Sequence, residues 1–262
     1  MRVFDRGGAR PVLALHCSLA HGGQWEGLAG YLEGVSLLAP DLPGHGMSVP
    51  WDGVSDLHGE SARLAIGLAE AAGQVDLIGH SFGATVALRV ALERPELFRS
   101  LVLVEPVLFA AARAAGAASY KGFAAGHQAM TKAMAEARLD EAAQLFLAQW
   151  GDGTAWESLS DRRRQSVKDR LPQIAAQDAV LLEDAAGLLG WMRLEALGIP
   201  VLLLEGAHSP PIIADIHAAL AERLPQVRRA VIAGAGHMSP VTHPKPVALA
   251  IQAHLDEVPA SG

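Results

Sequence analysis

The residues best equipped for chemistry lie in one nine-residue stretch, Val75-Asp76-Leu77-Ile78-Gly79-His80-Ser81-Phe82-Gly83. A short apolar run ends at Ile78 and a helix-competent stretch begins at Ala84, so the segment reads strand, tight turn, helix. Ser81 is at the apex. An apex residue in so sharp a reversal takes a strained backbone, and its flanking positions tolerate no side chain where strand and helix approach. Gly79 and Gly83 meet that demand. The strain lifts the serine hydroxyl clear of the chain and leaves the Phe82 N–H at a helix N-terminus, where developing negative charge is favoured. A serine hydroxyl is a weak nucleophile until a base takes its proton, and histidine is the side chain matched to neutral pH. Of eleven histidines, position singles out His237, because Gly234-Ala235-Gly236-His237-Met238 follows the last apolar strand. Serine and histidine at two strand ends suit attack on an acyl carbonyl.

Such side chains need a scaffold that brings distant strand ends together. Residues 11–15, 36–40, 75–78, 99–104, 199–204 and 228–232 read as strands. Helical patterns cover 25–32, 61–72, 84–92, 212–224 and 246–255. Strand–helix alternation implies a parallel sheet covered on both faces, which binds ligands beyond the carboxyl ends of its strands. From 107 to 197 the alternation stops and alanine-rich helical segments take over. The expected fold class is α/β: a mostly parallel central sheet flanked by helices, with an inserted helical cap. Residues 1–106 and 198–262 form the core, and 107–197 the cap over the mouth of the site.

Composition narrows the function classes. The chain has 262 residues, half of them hydrophobic, and a formal charge of −7 with a pI near 5.9. That balance argues against non-specific nucleic-acid binding, and the run Arg162-Arg163-Arg164 sits among acids as a solvated helix face. Cys17 is the only cysteine, which excludes an internal disulfide and a metal–thiolate cluster. No H-E-x-x-H, G-x-G-x-x-G or phosphate loop occurs, so neither a metal nor a nucleotide cofactor is expected. The start, Met1 to Gly8, lacks the apolar core of a signal peptide, and no apolar run reaches bilayer length. These features lead us to expect a soluble, cytoplasmic protein without a membrane partner.

The segment Gly79-His80-Ser81-Phe82-Gly83 is G-x-S-x-G in the strand–turn–helix setting that motif requires, and here the chain resembles the alpha/beta-hydrolase family. Three more landmarks follow the family's order, and together the four cover residues 11 to 255. His16-Cys17-Ser18 with Trp25 downstream is similar to a His-Gly, variable stretch, Trp pattern, with Cys17 in place of the glycine. Asp41-Leu42-Pro43-Gly44-His45-Gly46-Met47-Ser48 resembles D-x-x-G-x-G-x-S, whose glycines turn the loop while Asp41 and Ser48 satisfy its N–H groups. Gly234 to His237 is similar to the family's late G-x-G-H. The resemblance implies Ser81 as nucleophile, His237 as base, and an oxyanion hole built from the Phe82 and Ser18 amides. His80 is expected to pack beneath the turn.

The acid departs from the family's usual pattern. A G-x-x-D after strand 199–204 would supply it, but Gly206-Ala207-His208-Ser209 puts a serine there. Some members take the acid from the strand after the nucleophile strand, which here ends in Glu105. Its carboxyl end should open onto the same mouth, and a carboxylate buried there needs a partner that the His237 N–H can supply. Glu105 is the preferred acid, with Glu205 and Asp215 as the alternatives.

The resemblance implies a cofactor-independent, carboxylesterase-like serine hydrolase that cleaves a small-molecule ester through an acyl-enzyme. Trp150, Trp156, Trp191, Phe109 and Phe123 are candidate pocket walls, which favours a largely apolar acyl or alcohol part. The same machinery suits carbon–carbon cleavage of a vinylogous diketone, or lactone opening. A reading from another class is a non-catalytic receptor that uses the capped pocket, suggested by the missing acid after Leu204.

Overall fold

The computed structural model describes residues 1–259. Seven strands form one sheet: β1 (Arg2–Asp5), β2 (Arg10–Leu15), β3 (Val35–Ala39), β4 (Val75–His80), β5 (Phe98–Val104), β6 (Val201–Gly206) and β7 (Val227–Ile232). Their spatial order is β1-β3-β2-β4-β5-β6-β7. Every pairing is parallel except β1 with β3, where Arg2 opposes Ala39 and Asp5 opposes Ser36. The expected α/β class and mostly parallel sheet are found. Strand β1 is an addition: four residues with charge at both ends carry too weak a pattern to read in the sequence.

The central strands read as unbroken apolar runs because both faces of the sheet are covered. Leu13, Leu15, Leu77, Leu101, Leu103 and Leu203 point into one core. Their neighbours Val12, Ala14, Ile78, Val102, Leu202 and Leu204 point into the other. Helices α1 (Glu26–Ala29), α2 (Leu57–Ala72) and α3 (Phe82–Glu93) lie between the early strands. Helix α2 begins four residues before the expected 61, because the Asp56 carboxylate accepts from the Gly59 N–H and caps it there.

Between β5 and β6 the chain is helical: α4 (Phe109–Ala114), α5 (Ser119–Ala135), α6 (Leu139–Trp150), α7 (Asp161–Lys168), α8 (Leu171–Ala175) and α9 (Asp178–Leu181). No strand occurs there among the described residues. Met130, Ala133, Ala142, Ala143, Leu171 and Ile174 give this segment a small core of its own. After β6 come α10 (Pro211–Arg223), β7, α11 (Ser239–Thr242) and α12 (Pro244–Glu257).

At the amino ends of the central strands, one buried carboxylate ties four elements together. Asp76 on β4 is fully buried and accepts from Arg10 Nε (2.7 Å), Arg99 Nη2 (2.7 Å) and Ser100 Oγ (2.7 Å). Arg10 also reaches the carbonyls of Leu255 and Val258 at the end of α12. Burial by itself would raise the Asp76 carboxyl, but the two guanidiniums and the hydroxyl outweigh it and hold it below the usual carboxylate range. A depressed folded pKa contributes stability that is present above the unfolded carboxylate value and is lost as pH falls through the folded one. Asp76→Asn should therefore destabilise the fold by about 3–5 kcal/mol near pH 7, measured by urea unfolding. The gap to wild type should narrow below about pH 4, and a gap that ignores pH would refute the assignment.

Candidate active site

The turn between β4 and α3 has the geometry its glycines suggest. Ser81 sits at φ 55° and ψ −118°, outside the common regions for a side-chain-bearing residue. A Cβ on Gly79 would lie 2.4 Å from the Gly83 carbonyl oxygen, and one on Gly83 would lie 2.4 Å from the oxygens of Leu15 and His16. Both positions exclude a side chain. The Ser81 N–H donates to the Val104 carbonyl at 2.9 Å, so β5 holds the apex in place.

Three side chains predicted as nucleophile, base and acid come together at the carboxyl ends of β4, β5 and β7. His237 Nε2 lies 3.0 Å from Ser81 Oγ, and His237 Nδ1 lies 2.6 Å from Glu105 Oε2. The ionised carboxylate can only accept, so Nδ1 carries the proton and Nε2 is free to accept from the serine. Glu105 is fully buried and its backbone takes φ 50°, tied to β6 by its N–H to the Leu204 carbonyl at 2.9 Å. Burial would raise its pKa, but hydrogen bonds from His237, Ser209 and the Gly206 N–H prevail and keep it below the ordinary carboxylate range.

The serine at the family's usual acid position is accounted for. Ser209 Oγ donates to Glu105 Oε1, the same oxygen that accepts the Gly206 N–H at 2.7 Å. The other acids are engaged elsewhere. Glu205 meets Arg229 at 3.1 Å, and Asp215 accepts from Ser119 Oγ at 2.5 Å, at the start of α5. Burial, partly offset by Arg229, raises the pKa of Glu205.

The loop after β2 forms the opposite wall. Its His16 is buried, accepts the Leu42 N–H on Nε2 at 2.9 Å and donates from Nδ1 to the Cys17 carbonyl at 2.8 Å. Burial drives His16 down to about 3, so it stays neutral as a pin between the two loops. Asp41 satisfies the Gly22 and Met47 N–H groups of those loops at 2.7 and 2.8 Å. Burial pushes the Cys17 thiol up to about 12, which makes it unreactive. Among the described residues, neither the Ser18 nor the Phe82 amide donates a hydrogen bond within the protein. Both are the amides expected to form an oxyanion hole.

A cavity of about 470 Å³ opens at these groups, lined by Ser18, Ser81 and His237 and by side chains of the helical segment. Trp150 meets the His237 ring edge-on at 4.8 Å, and Phe109 stacks on Phe123 at 3.9 Å. Two of the expected wall residues do not line this cavity, although Trp156 lines an adjoining hollow that also reaches His237. Trp191 is 91 % exposed, while Trp156 lies under the Arg164 guanidinium at 5.6 Å. Trp191 sits in an exposed turn, whereas Trp156, in a 3-residue helix, packs partly buried against the small core of the helical segment, placements that an alanine-rich sequence does not reveal. Gln177 went unread in the sequence: buried in the cavity wall, it accepts from Ser18 Oγ at 2.9 Å. Nothing marks a lone glutamine between short helices. No group of three histidines, cysteines or acids among the described residues is placed to hold a metal, and no described helix is long and apolar enough to cross a membrane.

Comparison with known proteins agrees with this fold. A family model described as the alpha/beta hydrolase family matches residues 12–250. Lipase LipV of Mycobacterium tuberculosis is 37% identical over 106 residues, a match that spans 40% of each chain. The (E)-2-((N-methylformamido)methylene)succinate hydrolase of Acinetobacter baylyi is 25% identical over 268 residues, 98% of this chain and 94% of its own. Among solved structures, an esterase from Exiguobacterium antarcticum superposes with a TM-score of 0.74 at 17% identity, covering 97% of this chain and 94% of that one. The match across nearly the whole sheet shows that this chain belongs to the alpha/beta hydrolase family and is of the hydrolase class.

Proposed function

We propose that the chain is a serine hydrolase that cleaves a carboxylic ester through an acyl-enzyme. The observation that carries this reading is the unbroken run of hydrogen bonds from Ser81 Oγ through the His237 ring to Glu105. Ser81 Oγ attacks the acyl carbonyl while His237 Nε2 takes its proton. The buried Glu105 carboxylate holds the ring in the required tautomer and stabilises the imidazolium. The amides of Phe82 and Ser18 then receive the oxyanion, at a helix N-terminus that favours negative charge. Collapse expels the alcohol, protonated by His237, and a water activated by the same nitrogen releases the acid. No cofactor enters these steps.

In this reading residues 107–197 act as a cap over a core of residues 1–106 and 198–262, and the cap sets selectivity. Phe109, Phe123 and Trp150 line the space beside His237, so a largely apolar acyl or alcohol part fits there. A second reading has one observation in its favour: one relative matched over 94% of its length is named for a succinate derivative rather than a simple ester. Carbon–carbon or lactone hydrolysis by the same groups would then replace ester cleavage.

Two experiments test the proposal. With para-nitrophenyl acetate and butyrate as substrates, Ser81→Ala should lose both turnover and labelling by a phosphonate probe. Glu105→Gln should lower kcat by up to about 10⁴-fold, because the histidine tautomer is no longer enforced. Asp215→Asn should behave as wild type. A wild type that neither turns over nor takes the label would favour a non-catalytic receptor, whereas an active Glu105→Gln would move the acid elsewhere. A chain-length series probes the cap. Wild type should prefer butyrate to acetate in kcat/KM, and Phe123→Ala should shift the optimum to longer acyl chains; an unchanged series would place the acyl group outside the aromatic wall.

A further inference from the structure

The proposed mechanism assigns nothing to His80, the residue beside the nucleophile, or to Gln24 in the loop after β2. We infer that Gln24 and His80 form a one-way hydrogen-bond relay that holds the His237 loop in register with the loop bearing the Ser18 amide. Both are positioning residues, and their role rests on the serine-hydrolase reading of the site.

The direction of each bond follows from its ends. The Cys17 backbone N–H donates to Gln24 Oε1 at 3.2 Å, and a backbone N–H cannot reverse its role. That sets the orientation of the Gln24 amide, so Gln24 Nε2 is the donor to His80 Nδ1 at 2.9 Å. His80 therefore carries its proton on Nε2, which donates to the His237 backbone carbonyl at 2.9 Å. A carbonyl can only accept, so the far end of the relay demands the same tautomer as the near end. The Cys17 thiol, 3.2 Å from the same Oε1, adds a second donor without changing the polarity.

The ring itself is suited to the task. His80 is fully buried, and burial together with the neighbouring His237 drives it down to about 3, so it remains neutral wherever the enzyme works. Its ring lies 5.2 Å from that of His237. The His237 side chain is bonded to Ser81 and Glu105, and the relay adds a tether to its backbone from the opposite wall. The oxyanion side and the base side are thereby fixed relative to each other around Ser81. Simple core packing of a histidine would not need matched polarity at every bond.

Gln24→Glu separates the two possibilities. A carboxylate at position 24 still accepts from Cys17, but it also accepts from His80 and so demands the proton on Nδ1. A neutral ring then has nothing to donate to His237, and only the imidazolium serves both ends. The titratable groups facing His80 are His237 and Glu105, with Cys17 behind Gln24; these are the same in both proteins, so a change in the pH profile belongs to the new pair of His80 and the carboxylate at position 24. The variant should keep its relay at low pH and lose it as pH rises, giving an alkaline fall in kcat of about ten- to a hundredfold that wild type lacks. KM should change by no more than about twofold. Histidine ¹⁵N NMR should find the His80 proton on Nε2 in wild type and on Nδ1, or on both nitrogens, in the variant. A wild-type His80 protonated on Nδ1 overturns the relay without any variant. So does a Gln24→Glu enzyme with the wild-type pH profile, provided that wild type turns over para-nitrophenyl acetate and takes the phosphonate label. A wild type that does neither sinks the hydrolase reading, and the positioning role with it.

Discussion

The site depends on one buried hydrogen bond, between His237 Nδ1 and the carboxylate of Glu105. A carboxylate with no exposed surface is costly unless it is met by donors on every side. Here three donors from two places meet it: the His237 ring, and the Gly206 N–H and Ser209 hydroxyl at the end of β6. Gly206 and Ser209 belong to the carboxyl end of β6 and His237 to the loop after β7, so the bonds form only when β5, β6 and that loop are in register. The close approach is visible at Gly206, where a Cβ would lie 2.4 Å from the Ala235 carbonyl oxygen. The same closeness that satisfies Glu105 thus leaves no room for a side chain beside it.

Two of the strained backbones carry the groups proposed to do the chemistry. Ser81 and Glu105, on adjacent strands, both take positive φ values without being glycine. Such backbones cost of order 1–3 kcal/mol each and persist only where the surroundings over-determine them. The ladder supplies that constraint, since the Ser81 N–H is held by Val104 and the Glu105 N–H by Leu204. At the other end of the same strands, Asp76 gathers Arg10, Arg99 and Ser100.

The helical segment between β5 and β6 contributes walls rather than reacting groups. Its own small core keeps α5, α6 and α8 together, while Phe109, Phe123, Trp150 and Gln177 turn toward the cavity. Gln177 also bonds the Ser18 hydroxyl, so the segment touches the same loop whose amide is proposed to bind the oxyanion. A segment that both shapes the pocket and contacts this loop can couple substrate fit to the proposed oxyanion hole.

Ser81 and His237 were legible in the sequence because each is marked by its own neighbours. Glycines two positions away on either side announce the turn, and Gly234-Ala235-Gly236 precedes the histidine. The parallel sheet was legible for a similar reason, since strands buried on both faces print unbroken apolar runs. Glu105 was reachable by one further step, the adjacency of consecutive strands. Strand β1 was not, because four residues with exposed alternate positions carry little pattern. The Ser209–Glu105 bond, the Gln24–His80 relay and the Gln177–Ser18 contact were also hidden. Their partners lie between 56 and 159 positions apart, and no local periodicity specifies which loops will meet. The sequence by itself determined which residues are chemically able, through local spacing and burial pattern. Only the tertiary structure decided which carboxylate meets His237 and which aromatic rings face the cavity, because those choices depend on distances between segments that local chemistry does not encode.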